Sequence, residues 1–291
     1  MDLLHPYNEL DVLNRYGKIA PYLQDFLSKK EIASKIVGEN FLLLKRGTKN
    51  PPLYIKDFKA VDDKFLQLRT DHHLEDVKKQ LNKKQILLRQ YFVPRKLINF
   101  FYACNNEQGK TMDRIFIDID RQDNSPEDAQ KTAESLVKAI QSDKPFSKLM
   151  KHKILVMRTG NSFHIILMLA KSIHHKIYDT YLSYGPKKEN SFITKRATQV
   201  SKDTKLNVLS GHERRKGAII LDSSNTPPGK LARCPFSLHI QDYQTIDGIT
   251  VPLTAKELSE KSLIPRLQSL TPEKIWENIK IYDKIIKKAL R

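Results

Sequence analysis

The chain has 291 residues, 51 of them Lys or Arg against 33 Asp or Glu, which leaves a formal net charge of +18. At about 150 residues per domain this is one large or two modest domains, long enough for a sizeable core, which excludes a disulfide-stapled mini-protein. The charge excess favours a polyanionic partner, although a Lys-rich solvated surface has the same composition.

No apolar run approaches the about 20 residues of a membrane-spanning helix. The opening MDLLHPYNEL has neither a basic leader nor a continuous apolar stretch, so a soluble cytoplasmic protein is expected, nucleoid-associated if prokaryotic, with no membrane partner. Cys104 and Cys234 each lack a CxxC or CxxH companion. Both are therefore expected as core residues, with no disulfide framework and no zinc, and any metal is expected on oxygen ligands.

In chain order, residues 11–37 carry apolar positions at helical spacing, and Ser28 with Glu31 has the capping-box spacing that opens a second helix. ENFLLLKRG and PPLYIKDFK read as a short strand pair, or a strand and loop, broken at Pro51 and Pro52. Helix returns over 74–88 with Lys78, Lys79, Lys83, Lys84 and Arg89 along it, a phosphate-contacting or simply solvated face. DRIFIDID alternates strictly and reads as a strand. Ser125 as N-cap, Pro126 at N1 and the acids Glu127 and Asp128 then open a helix continuing to Ile140.

KILVMR and SFHIILML read as two strands joined by the Thr159-Gly160-Asn161 turn, and GAIILD as another. Between them, 184–216 is polar and holds Lys187, Lys188, Lys195, Arg196, Lys202, Lys205, Arg214, Arg215 and Lys216, as a basic loop or an insertion. Thr271 and Pro272 open an amphipathic helix with Ile275, Ile279, Tyr282 and Ile286 on one stripe. Strand, helix, strand, strand predicts a mixed α/β (α+β) sheet, and no internal repeat interrupts it.

Three segments carry chemistry. In DRIFIDID the period of two puts Phe116, Asp118 and Asp120 on one strand face and the isoleucines on the other. Neighbouring carboxylates repel, so a divalent cation is their natural occupant, unless Asp120 simply begins a solvated loop. In RTGNSFHIIL, Ser162, His164 and the turn's backbone make a donor set for phosphate oxygens, although a His in an apolar strand is often a core residue. In IILDSSNTPPGKLARCPFSLHI a strand ends at Asp222, and Arg233, Ser237 and His239 follow around Pro235. This segment alone reads equally as a hairpin with a capping acid and a surface arginine.

The ordered set Asp-x-Asp, Ser-x-His, then Asp followed by Arg-x-Pro-x-Ser-x-His resembles the archaeo-eukaryotic primase superfamily over about residues 110–255. LDSSNTPPGKLARCPFSLH with GITVPL is its most specific part, similar to the end of the primase small catalytic subunit. The resemblance implies a primase core with an RRM-like sheet packed on an N-terminal α/β module and an active-site cleft between them. It makes Asp118, Asp120 and Asp222 ligands of two Mg²⁺ or Mn²⁺ ions, and Ser162, His164, Arg233 and His239 contacts of the incoming triphosphate. Arg158 and Lys230 join them from position alone.

The implied activity is primer synthesis or extension on single-stranded DNA from nucleoside triphosphates, with accessory primase, replication or CRISPR-associated proteins as further candidate partners. The chain lacks a cysteine-bearing zinc knob, and RTGNSFH stands where an Arg- and Gly-rich turn is usual. These departures are more similar to the primase-polymerases of plasmids, mobile elements and CRISPR-associated loci. The expected division is a helical and mixed module at 1–90, a catalytic module at 91–255 and C-terminal helices at 256–291.

A non-catalytic RNA-recognition module would carry exposed aromatics where Asp118, Asp120 and His164 stand. A metal-dependent nuclease could use the same acids without the triphosphate-gripping half. A rolling-circle initiator needs a His-x-His that does not occur. His72-His73 resembles the DHH phosphoesterases only superficially, and capping of a helix start by Asp71 is the expected role there.

Overall fold

The computed structural model describes residues 12–106, 109–160, 162–185, 188–240 and 246–291. Asn161 of the predicted turn and Lys187 of the basic stretch lie outside the described residues. The first helix, α1 (Val12–Leu23), buries Leu13, Tyr16, Ile19, Ala20 and Leu23, the stripe its periodicity predicts. The second expected helix is instead a strand, β1 (Glu31–Val37). Lys29 takes a left-handed φ of 62°, which ends the helical path before the Ser28–Glu31 spacing can be used. β1 then pairs antiparallel on both edges, with β2 (Leu42–Lys45) and β3 (Leu53–Tyr54) on one and β4 (Ile98–Ala103) on the other. Pairing on both sides outweighs a local capping signal.

The helix expected over 74–88 is broken. α2 (Asp63–Asp71) and α3 (Leu74–Val77) precede a 3-10 turn at Lys78–Gln80, and α4 (Lys83–Tyr91) begins anew. Asn82 restarts it. Its side chain accepts the Lys84 and Gln85 N–H groups at 2.9 and 3.0 Å, and Gln85 accepts the Asn82 N–H at 3.0 Å. Asp71 is the last residue of α2 rather than a helix-start cap, a position that falls to His73. Of the basic series, Lys84 binds the buried Asp57 at 2.9 Å and Arg89 donates to the His72 carbonyl at 2.9 Å, so both serve the fold.

From Thr111 onward the elements follow the sequence reading more closely. β5 (Thr111–Asp120) leads to α5 (Pro126–Ser142), where the Ser125 hydroxyl accepts the Asp128 N–H at 3.0 Å. α6 (Lys144–Leu149), β6 (His152–Thr159) and β7 (Ser162–His174) follow. The basic stretch 184–216, expected as a loop or an insertion, holds α7 (Phe192–Thr204) and β8 (Val208–Ser210), and β9 (Ile219–Asp222) comes next. Arg196 holds α7 by donating to the Ala139 carbonyl at 3.0 Å and pairing with Asp143 at 3.4 Å.

β10 (Leu231–Arg233), β11 (Leu238–Ile240), β12 (Ile246–Ile249) and β13 (Val251–Leu253) precede the last helices, α8 (Leu263–Gln268), α9 (Pro272–Glu277) and α10 (Ile279–Leu290). The one amphipathic helix expected from Thr271 is thus split at Asn278. Ile275, Ile279, Tyr282 and Ile286 are nonetheless all buried.

Six strands form one sheet in the order β13-β6-β7-β5-β9-β8, antiparallel except between β8 and β9. A second sheet runs β10-β4-β1-β2 with β3 also on β1, and β11 pairs with β12. The chain divides into two compact units. The first takes residues up to Ala103 with Arg233–Thr250 and Thr271–Ile279, and the second takes Cys104–Ala232, Val251–Leu270 and Lys280–Arg291. The expected parts 1–90, 91–255 and 256–291 do not coincide with these units, because β4 lies beyond residue 90 and pairs with β1. Cys104 and Cys234 are buried and unbridged, as expected. No helix among the described residues is long and apolar enough to cross a membrane.

Candidate active site

β5 carries the site because its alternation sends one set of side chains into the apolar interior, where Ile115, Ile117 and Ile119 are almost fully buried. Asp118 on the opposite face keeps 34% of its side chain exposed. Register does the rest. Asp118 faces Asp222 on β9 along one edge and His164 on β7 along the other. Residues directly opposite in a sheet share a face, so three distant segments place Asp222, Asp118 and His164 in one row. His164 Nε2 lies 3.2 Å from Asp118 Oδ1, and the imidazole rests against the Phe116 ring at 4.6 Å between centroids. Its Nδ1 is buried and has no hydrogen-bond partner among the described residues.

Asp222 ends its strand. Its Oδ1 accepts the Ser224 N–H at 2.7 Å and the Tyr184 hydroxyl at 3.1 Å, and its Oδ2 accepts the Ser224 hydroxyl at 2.9 Å. Burial pushes the Asp222 carboxyl pKa up, and the facing Asp118 pushes it the same way, against the lowering effect of the Ser224 bonds. Past Asp222 the chain leaves the sheet, and Thr226 stands in for the missing strand. Its hydroxyl accepts the Phe116 N–H at 2.9 Å and donates to the Phe116 carbonyl at 3.0 Å.

Asp120 faces Ile220 and also accepts the Gln122 N–H at 3.2 Å, so it shapes the turn after β5. Among the described residues no three His, Cys, Asp or Glu groups are gathered closely enough to hold one ion. What the fold supplies is a pair of adjacent carboxylates, of which Asp222 has its pKa raised first by burial and only to a lesser extent by Asp118. That donor set suits a hard divalent cation whose remaining ligands come from elsewhere.

The other predicted residues are engaged as follows. The Ser162 hydroxyl donates to the Ile119 carbonyl, tying β7 to β5. Arg158 is buried, donates through Nε to the Gly160 carbonyl at 2.8 Å and lies over the Phe163 ring, all within the β6–β7 hairpin. Lys230 is exposed.

Arg233 and His239 belong to the first unit. There Arg233 donates to Asn99 Oδ1 and to the Leu238 carbonyl at 2.9 Å, stacked on Phe101. Asn99 Oδ1 also accepts the Ile240 N–H at 3.1 Å, and His239 Nδ1 pairs with the Asp247 carboxylate.

Two residues missed in the sequence enter here. Lys35 is the register partner of Asn99, and its pKa is lowered by burial first and by the nearby Arg233 second, so two cations share this corner of the first unit. Reading EIASKIV as a strand would have exposed a lysine among buried positions. Tyr184, which bonds Asp222, left no signal beyond being an aromatic residue in a polar stretch.

No family model matches the sequence, and no curated protein matches it. Solved structures do match. The fold resembles that of a polymerase domain. That neighbour is the polymerase domain of ligase D from Mycobacterium tuberculosis, in complex with DNA. It aligns with a TM-score of 0.61 at 13% sequence identity, over 98% of this chain and 96% of that one. At such identity the likeness is one of fold, and the mixed α/β class expected from the sequence is borne out.

Proposed function

We propose that this chain is a DNA-directed nucleotidyltransferase, a primase-polymerase that starts or extends chains on single-stranded DNA from nucleoside triphosphates. The observation that carries the reading is the row of Asp222, Asp118 and His164, built by strand register in a fold that resembles a polymerase domain. The resemblance of its motifs to the plasmid, mobile-element and CRISPR-associated branch of the primase superfamily points the same way.

Asp118 and Asp222, with Asp120 beside them, would hold Mg²⁺ or Mn²⁺. Such ions commonly sit on one or two carboxylates and complete their shell with substrate phosphates, which fits a pair that falls short of a closed site. Bound ions supply activation of the attacking 3′-hydroxyl and neutralisation of the departing pyrophosphate. The chain's own residues bind and orient. His164, its Nε2 beside Asp118, offers an imidazole to the nucleotide. Arg233, braced by Asn99 and the Leu238 carbonyl, presents a fixed guanidinium to phosphate oxygens, with Lys35 and His239 as further donors. Ser162, Arg158 and Lys230 are secondary candidates, the first two chiefly holding the strands. The proposed setting is cytoplasmic, with accessory replication or CRISPR-associated proteins as partners and no zinc.

The test is incorporation of labelled nucleotides on primed and unprimed single-stranded templates, with Mg²⁺ and Mn²⁺ and each nucleotide set supplied separately. Metal-dependent synthesis, abolished in the Asp118→Ala/Asp120→Ala double variant, is the expected result. Synthesis retained in that variant overturns the site. Template shortening would establish a nuclease, and metal-independent binding without synthesis a recognition module.

A further inference from the structure

Two separate segments, 182–184 and 211–212, converge on the end of β9. The Gly211 N–H donates to the Leu221 carbonyl at 3.1 Å, and the Ser223 hydroxyl donates to the Leu182 carbonyl at 3.0 Å. Tyr184, two residues past Leu182 and half-buried, places its hydroxyl on Asp222 Oδ1 at 3.1 Å, and its ring lies 5.7 Å from that of His212. A carboxylate has about four lone-pair positions. On Asp222 the Ser224 N–H and the Tyr184 hydroxyl fill both positions of Oδ1, and the Ser224 hydroxyl fills one of Oδ2.

We propose that Tyr184 is a positioning residue for Asp222: by occupying Oδ1 it leaves a single position, on Oδ2, for a divalent cation, and so makes this carboxylate a one-oxygen ligand of fixed orientation. The inference rests on the metal-binding role proposed above. The phenol is suited to the task because an ordinary tyrosine, with a pKa of about 10, carries its proton at neutral pH and so can donate. Ser224 cannot replace it, since its N–H and hydroxyl are already committed to the same carboxylate. Groups that orient a metal ligand typically change metal affinity or activity by about 10- to 100-fold when removed.

The experiment is titration of the whole chain with Mn²⁺ alone, followed by the electron paramagnetic resonance of the free ion, in the parent protein, Tyr184→Phe and Asp222→Asn. Tyr184→Phe is expected to weaken Mn²⁺ binding about 10-fold while keeping a cooperative melting transition and, at saturating metal, the parent's apparent KM for nucleotide. Unchanged Mn²⁺ affinity in Tyr184→Phe, with binding lost in Asp222→Asn, overturns the positioning role and spares the metal site. Loss of the melting transition, or a raised KM at saturating metal, also overturns it, in favour of a role in folding or nucleotide contact. Binding unchanged in Asp222→Asn overturns the metal reading itself.

Discussion

Asp118 and Asp222 are direct cross-strand partners, two carboxylates facing each other where β5 meets β9. Like charges so placed cost stability, of order 0.2–1 kcal/mol. Burial and Asp118 raise the Asp222 pKa, so the folded chain keeps this proton to higher pH than the unfolded chain. The resulting stabilisation is full below the ordinary carboxylate pKa of about 3.9 and is lost as pH rises through the raised value. In metal-free protein, Asp222→Asn should therefore melt about 1–3 °C higher than the parent at neutral pH. The gain should vanish near pH 3, where about nine in ten ordinary carboxyls are protonated. Catalysis should be lost at every pH. Paired melting curves at the two pH values check this, and a variant less stable at neutral pH would mean that the carboxylate is needed by the fold.

Lys35 and Arg233 flank Asn99 in the first unit, where the Lys35 pKa is lowered first by partial burial and then by the repulsion of Arg233. A triphosphate would relieve it. Lys35→Ala should raise the apparent KM for nucleotide about 10-fold, the equivalent of one charge-assisted hydrogen bond, with kcat little changed. Asn99→Ala should act on both fold and affinity, because it strips an acceptor from the Arg233 guanidinium and from the Ile240 N–H, costing about 2–3 kcal/mol. Steady-state kinetics with a denaturant titration separates the two effects. A Lys35→Ala protein with the parent's KM would confine that lysine to the sheet.

The second unit was the more legible from sequence, and the reason is physical. DRIFIDID, SFHIILML and IILD are strands whose alternation or continuous apolar character survives on its own, and Ser125-Pro126 starts a helix by local chemistry alone. Asp118, His164 and Asp222 lie on those strands, so the residues could be named, although their register could not. β1 failed because Ser28 and Glu31 offer a helix start that only pairing with β2, β3 and β4 overrides, and Lys35 was hidden with it. The break before α4 is encoded by the Asn82–Gln85 capping box, a signal that the run of basic residues on either side of it masks. Tyr184 could not be found, because nothing near it in sequence reveals contact with a residue 38 positions away.

Arg214, Arg215 and Lys216 are exposed on the connection between β8 and β9, whose far end is tied down by the Gly217 N–H on the Asp123 carboxylate at 2.8 Å. Three cations on one anchored connection can meet successive phosphates of a single strand. Replacing all three by Ala should weaken single-stranded DNA binding and reduce the slope of log K against log salt by about 2, at ~0.7 per phosphate contact on a single strand. Synthesis at saturating template should persist. Fluorescence anisotropy across a salt series measures it, and an unaltered slope would move the template path elsewhere on the protein.

Thr226 closes the gap left when β9 stops at Asp222. Its single hydroxyl serves both the N–H and the carbonyl of Phe116, two residues before Asp118, and the buried Asn105 secures it by donating to the Thr226 carbonyl and, at 2.9 Å, to that of Arg114. Val has the same shape without the oxygen. Thr226→Val should leave a buried donor and a buried acceptor unpaired together, a destabilisation of about 2–4 kcal/mol, and should loosen the strand that holds Asp118 opposite Asp222. Thr226→Ser keeps the hydroxyl and loses a methyl, so it should cost about 1 kcal/mol and leave synthesis near the parent rate. Urea unfolding with incorporation assays on both variants compares the two directly. If the Val and Ser proteins prove equally stable, then water reaches Phe116 in place of the hydroxyl, and the placement of Asp222 depends on Ser224 and Tyr184 alone.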